Sequence, residues 1–262
     1  MFLPQLVEKD RVMDGKRMVI VTGGSRGIGA AVCRKLAAGG HPVAVNYATN
    51  RDAAERLVAE ISAGGGRAAA FAGDMGREAD IVALFADAEA ALGPLGGLVN
   101  NAGITGPLAR VAAITPDILA RVLAVNVTGC FLAAREAIRR LSTKAGGPGG
   151  AIVNIASRAA GLGGAGEWVH YAASKGAVET FTLGLAREVA GEGIRVNAVS
   201  PGLIDTEIHA SAGAPDRVAR LAAGVPLARA GSADEVADAV AFLLSERASY
   251  ITGAILPVSG GR

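Results

Sequence analysis

The chain is predicted to fold as one α/β domain: a doubly wound, mostly parallel sheet of seven strands with helices on both faces. Three observations predict it. Short β-branched runs alternate with longer segments whose apolar residues recur at i, i+3 and i+4, the rhythm of strand, crossover helix, strand. A glycine-rich stretch, TGGSRGIG at 22–29, follows the first run directly. The 262 residues are 51% hydrophobic, 19% charged and only 4% aromatic, with Ala and Val dominating, which suits helices lying close on a sheet buried on both faces.

The strand-like runs are MVIVT (18–22), PVAVNY (42–47), RAAAFAGD (67–74), GLVNNAG (97–103), AIVNIAS (151–157), IRVNAVSPG (194–202) and AILPVSGG (254–261). Helical periodicity covers 53–61, 79–92, 118–141 and 234–245, so each crossover is expected to be right-handed. AGGPGG at 145–150 sits where a helix should stop before a strand. Residues 1–15 read as an N-terminal extension, with Met13 a candidate start, and 16–262 as the domain. Residues 203–232 make a connection of roughly 30 residues, far longer than compact domains usually need, and are expected to form a substrate lid.

Several classes are disfavoured. A net charge of +2 without any Lys/Arg run argues against a nucleic-acid partner. Cys33 and Cys130 are far apart and outside any CxxC spacing, so both are expected as small buried residues in a reducing, cytoplasmic setting. No uninterrupted apolar run approaches the roughly 18 residues of a membrane span. The opening MFLPQLVEKDRVMDGKR carries Glu8, Lys9 and Asp10 and does not read as a secretion signal. His41, His170 and His209 lack metal-ligand spacing, so no metal is expected.

In TGGSRGIG, Gly23, Gly27 and Gly29 remove the Cβ atoms that would block a tight turn, and Ser25, Arg26 and Ile28 complete the loop. Strand before and helix after make it a dinucleotide cradle, with backbone N–H groups and the helix dipole directed at a pyrophosphate. The second strand ends in Asn46 and Tyr47, followed by Ala48, Thr49, Asn50 and Arg51, with no carboxylate to take a ribose 2′-hydroxyl. Arg26 and Arg51 suit a 2′-phosphate, so NADP(H) is favoured over NAD(H). Asp52 is read as a capping residue of the next helix. Asp74, followed by Met75, closes the third strand, where its carboxylate could accept from the adenine amino group. Asn101, Ala102 and Gly103 close the fourth and suit close approach of a cofactor.

Tyr171 and Lys175 stand at i and i+4 on one helical face. An ammonium about 4 Å from a phenol at an effective dielectric near 20 contributes about 4 kcal/mol, or about three pKa units. That is enough to bring a tyrosine toward proton exchange with a carbonyl or alcohol oxygen. Glu167, Trp168 and His170 adjoin the pair and are candidates for a substrate pocket.

TGGSRGIG, NNAG (100–103), Asn126 in LAVNVTG, Ser157 in IVNIAS, YAASK and PG (201–202) resemble, in order across about 16–261, the short-chain dehydrogenase/reductase family. The resemblance implies a Rossmann-type sheet of seven strands, a nicotinamide cofactor and a homo-oligomer, tetramer or dimer. It also implies a tetrad of Asn126, Ser157, Tyr171 and Lys175. Tyr171 would exchange the proton and Ser157 would hydrogen-bond the substrate oxygen. Lys175 would lower the tyrosine pKa and hold the ribose, and Asn126 would support a water relay to Lys175. Ile204 and Thr206, after Pro201 and Gly202, match positions that touch the nicotinamide amide. One departure stands out: Ser157 lies 14 positions before Tyr171, one more than most members have. The usual offset holds Arg158, and Ser174 faces another side of the helix, so a one-residue insertion in GLGGAGEWV is expected. The activity expected is NADPH-dependent interconversion of a ketone or aldehyde and an alcohol, with sugar oxidation or 3-oxoacyl-thioester reduction within the same class. A cofactor-binding sensor that does little chemistry is the alternative from another class.

Overall fold

The computed structural model describes residues 17–207 and 213–262. The expected 1–15 extension, Met13 and His209 lie outside the described residues. Seven strands form one parallel sheet: β1 (Met18–Val21), β2 (Val43–Tyr47), β3 (Ala68–Ala72), β4 (Leu95–Asn100), β5 (Gly150–Ile155), β6 (Ile194–Pro201) and β7 (Ile255–Val258). Their order is β3-β2-β1-β4-β5-β6-β7. The order reverses between β1 and β4, which opens a crevice beyond the carboxyl ends of those strands.

Alternate residues of each strand serve opposite faces. Val19, Val21, Val45 and Val153 pack with Leu36 of α1 (Gly27–Ala38), Leu57 of α2 (Arg51–Ala63) and Val240 on one side. Ile20, Leu98 and Ile152 pack with Phe85 of α3 (Glu78–Leu92) and Leu141 on the other. Burial on both faces is why the strands read as continuous apolar runs and not as alternating ones.

The predicted helix 118–141 is three pieces: α4 (Pro116–Leu123), a π-helical turn (Ala124–Thr128) and α5 (Gly129–Leu141). The π turn carries Asn126, and such turns recur at functional sites. α2 is capped by Asn50, whose side chain accepts from Ala53 N at 3.0 Å; Asp52 sits in the first turn and is not the cap. After β5 come the short α6 (Ala159–Leu162) and the long α7 (Val169–Val189), which carries Tyr171 and Lys175. In the 203–232 segment, Ile204 bridges Gly231 and α8 (Arg217–Ala222) follows; residues 208–212 lie outside the described residues. α9 (Ala233–Leu244) starts on a capping box in which Ser232 and Glu235 satisfy each other's backbone N–H groups.

Candidate active site

A cleft of about 590 Å³ runs along the crevice, in the size range of small-molecule sites. One end is walled by the glycine-rich loop. There Gly23 and Gly27 adopt φ of +60° and +53°, a conformation that costs side-chain-bearing residues. A Cβ on Gly29 would lie 2.4 Å from Gly23 O and 2.9 Å from Gly24 Cα, so only glycine fits. The loop is tied down by two amides. Asn46, 1% exposed, accepts from Gly23 N at 3.0 Å and donates to Gly73 O at 3.0 Å. Asn101 donates to Thr22 O and Gly23 O, both at 2.9 Å. A backbone shaped this way, opening onto a helix N-terminus, fits the pyrophosphate of a dinucleotide.

The structure gathers almost all of the expected cofactor residues on this cleft: Gly23, Ser25, Arg26, Gly27, Ile28, Gly29, Asn46, Tyr47, Thr49, Asp74, Met75, Asn101, Ala102, Gly103, Tyr171, Lys175, Pro201, Gly202, Ile204 and Thr206 all line it. Arg51 does not. It stands in the first turn of α2, 73% exposed, with Nε 2.6 Å from Glu55 Oε1 one helical turn on. Asp74 lines the cleft, but its carboxylate accepts from Gly76 N at 2.8 Å and from Arg121 Nη2 at 3.1 Å. Burial pushes that carboxyl up, and the guanidinium and N–H outweigh it, so the net shift is down. Arg121, unmarked by any spacing in the sequence, is thus a cleft residue that sequence reasoning missed.

The other end holds the chemistry. Ser157, just beyond β5, lines the cleft with Tyr171. In the loop between them Gly163, Gly164 and Gly166 adopt φ of +76°, +61° and +75°. Burial raises the Tyr171 pKa, and a hydrogen bond with Ser157 pulls it partly back. Lys175, 4% exposed, donates from Nζ to Ile155 O at 2.6 Å, and that nitrogen is 5.8 Å from the Tyr171 ring centre. Burial depresses Lys175 to about 8. The expected lowering of the tyrosine by a close ammonium is therefore not what this geometry produces: desolvation dominates and the phenol moves up. Ser174 is fully buried, donating to Tyr171 O at 2.7 Å and accepting from Asn126 Nδ2 at 2.9 Å, which removes it from the contest for the active serine.

Asn126 lies behind the cleft wall and does not line it. Its amide accepts from Ile104 N at 2.8 Å and donates to Ile104 O at 2.9 Å. Its Oδ1 and Lys175 Nζ flank Gly103, 3.5 and 3.4 Å from where a Cβ would be. Trp168 lines the cleft, and its buried Nε1 has no partner; both ring nitrogens of buried His170 are likewise unpartnered. Among the described residues no cluster of His, Cys, Asp or Glu could hold a metal, and both cysteines are buried and free.

The α/β crevice, glycine cradle and Ser–Tyr–Lys arrangement define a class, the nicotinamide-dependent oxidoreductases of Rossmann type. The family model described as enoyl-(acyl carrier protein) reductase matches residues 23–262, and the chain belongs to the short-chain dehydrogenase/reductase family and is an oxidoreductase. It is 49% identical over 245 residues to the uncharacterized oxidoreductase YgfF of Escherichia coli K12, covering 94% of this chain and 99% of that one. A dehydrogenase/reductase from Sinorhizobium meliloti 1021 superposes with a TM-score of 0.88 at 34% identity, covering 97% of each chain. A blue fluorescent protein from a metagenomic library, solved in complex with NADPH, gives 0.84 at 39% identity, covering 94% of this chain and 97% of that one.

Proposed function

We propose that the chain is an NADP(H)-dependent oxidoreductase that interconverts a ketone or aldehyde and an alcohol, with Tyr171 as the proton donor and acceptor. The observation that carries this reading is that Ser157, Tyr171 and Lys175 line the same cleft as the glycine cradle. A nicotinamide dinucleotide bound there supplies a hydride to the carbonyl carbon, or takes one from the alcohol. The protein's own part is the proton and the orientation. Ser157 holds the substrate oxygen, and Tyr171 gives its phenolic proton to that oxygen as the C=O double bond opens. A phenol raised by burial keeps its proton at neutral pH, which favours the donor role in reduction. Lys175 underlies the tyrosine and would hold the ribose hydroxyls. Asn126 acts as a positioning residue, fixing Ile104 and Ser174 around Lys175.

The preference for NADP(H) rests on Ser25, Arg26 and Thr49 lining the cleft beside the end of β2, with no carboxylate among residues 46–50. The NADPH complex of a structural relative is consistent with it. Arg51, paired with Glu55, stands outside the cleft. Leu203, Ile204, Thr206, Glu207 and Arg217 line the cleft, which supports reading the 203–232 segment as a substrate lid. Exposed Leu119 and Leu123 on α4, Phe131 on α5 and Leu183 on α7 suit burial against a second copy, a dimer or tetramer. Buried, unpaired cysteines accord with the cytoplasm.

The test is a panel of carbonyls and alcohols followed by nicotinamide absorbance, with Tyr171→Phe as the control. Turnover by the native protein and its loss in the variant support the reading; cofactor binding without turnover of any compound, or undiminished turnover in the variant, overturns it.

A further inference from the structure

We propose that Arg217 latches α8 over the substrate end of the cleft. Its guanidinium, paired with Glu167 and stacked on Trp168, fastens the 203–232 segment to the loop between Ser157 and Tyr171. The inference deepens the reading above and rests on it for the role of that segment as a substrate lid.

The two sides of this contact are held differently. The receiving side is fixed. Glu167 N and Trp168 N both donate to Gly164 O, at 3.1 and 3.0 Å. Ala172 N donates to Trp168 O at 2.9 Å, which joins the loop to the helix that carries Tyr171. Gly164 makes this turn at φ +61°, where a Cβ would lie 2.8 Å from Trp168 O. The 203–232 segment is pinned near its two ends. Gly231 N donates to Leu203 O and Asp205 N to Gly231 O, both at 2.9 Å, and Leu227 N donates to Gly260 O at 3.1 Å. α8 lies between these points, is six residues long and buries none of them.

Arg217 anchors that helix. Its side chain is 12% exposed, against 56% for Arg220 one turn on, whose ion pair with Asp216 stays inside the segment. Arg217 instead crosses to Glu167, 50 residues away in sequence. Its guanidinium carbon lies 4.5 Å from the centre of the Trp168 ring. A planar guanidinium can hold a carboxylate through its edge and an aromatic ring against its face, which an ammonium cannot do. Trp168 Nε1 has no hydrogen-bond partner, so the indole is held by packing and by the cation over it. All three side chains line the cleft, and Trp168 stands three residues before Tyr171. Breaking this one contact frees α8 on one side and uncovers the indole on the other, so it sets how firmly the substrate end is closed.

The test reads the latch first without turnover. Trp168 is the only tryptophan in the chain, so its fluorescence reports this contact alone. Acrylamide quenching of Trp168 and amide hydrogen exchange over 213–224, followed by mass spectrometry, are compared in the native protein, Arg217→Ala and Glu167→Gln. Folding of each variant is verified by its melting temperature. Both variants are expected to speed exchange over 213–224 about tenfold and to raise the quenching constant about twofold or more, with exchange across β1–β5 unchanged. With the best carbonyl of the panel, KM is expected to rise about fivefold or more in both, and by a larger factor than kcat falls. Unchanged exchange and quenching overturn the proposal. So does faster exchange throughout the sheet, since the pair would then serve the fold at large. A KM that stays put while the amides and the indole respond overturns the role at the substrate end. If no carbonyl is turned over, the oxidoreduction reading falls, and exchange and quenching still decide whether Arg217 holds α8.

Discussion

The two ends of the cleft are built on opposite terms. At the cofactor end the amides are spent on the backbone. Asn46 and Asn101 bond the glycine-rich loop, and a Cβ at Gly29 would strike main-chain atoms. At the substrate end polar groups are left over. Trp168 Nε1 is buried on the cleft without a partner, and both nitrogens of His170, which lies behind the lining, are unpartnered too. The first end is a rigid mould for a ligand shared across a family. The second keeps an unpaired donor, Trp168 Nε1, open to a ligand's acceptor.

The contrast can be broken by substitution. A large effect is expected at Gly29. Gly29→Ala forces a methyl group into contact with Gly23 O and Gly24 Cα, costing about 2–3 kcal/mol of stability. NADPH affinity should fall with it, measured by denaturation and fluorescence titration; near-native binding would mean the loop yields and is no mould. Next is Lys175, which links the two ends. Burial holds its pKa near 8 against an ordinary 10.5, so below pH 8 the folded protein carries a buried ammonium at a cost. Between about pH 8 and 10.5 the unfolded chain holds the proton that the folded chain has lost, so stability rises with pH. The gain approaches about 3 kcal/mol relative to Lys175→Met, which lacks the titration. Parallel pH–stability curves for the two proteins would refute the burial argument.

Asn46→Ala leaves Gly23 N–H and Gly73 C=O without their side-chain partner and should cost about 2 kcal/mol in urea denaturation. The matching change at the other end should do almost nothing. His170 has no hydrogen bond to lose, so His170→Leu is expected within about 0.5 kcal/mol of the native protein, or more stable. If His170→Leu costs as much as Asn46→Ala, the two ends do not differ as described.

The same division governs what the sequence revealed. Strands buried on both faces appear as unbroken apolar runs, and a loop needing positive φ and no Cβ has to be written in glycine, so the sheet and the cradle were legible. The break in the 118–141 helix was not, because a π turn shifts the helix by one residue and leaves the apolar rhythm nearly intact. Arg51 was assigned to a phosphate because Glu55, one turn away, was not weighed as its partner. The direction of the Tyr171 shift was misjudged because Y-x3-K spacing fixes a shared helical face but says nothing of the Ile155 carbonyl that takes the ammonium, or of the burial that raises the phenol. Arg158 and Arg262 meet only when β7 returns the chain to the cleft, a contact without any local sequence signal.

The central claim is that this cleft moves a hydride and a proton together, with Tyr171 supplying the proton. The most direct measurement is a single turnover with NADPH deuterated at the transferable position, using the best carbonyl of the panel and comparing the native protein with Tyr171→Phe. The account predicts deuterium on the carbinol carbon of the product with the native protein, and a rate about a thousandfold lower in the variant while NADPH still binds. Deuterium transferred at the native rate by Tyr171→Phe, or no label in any product despite bound NADPH, would contradict it.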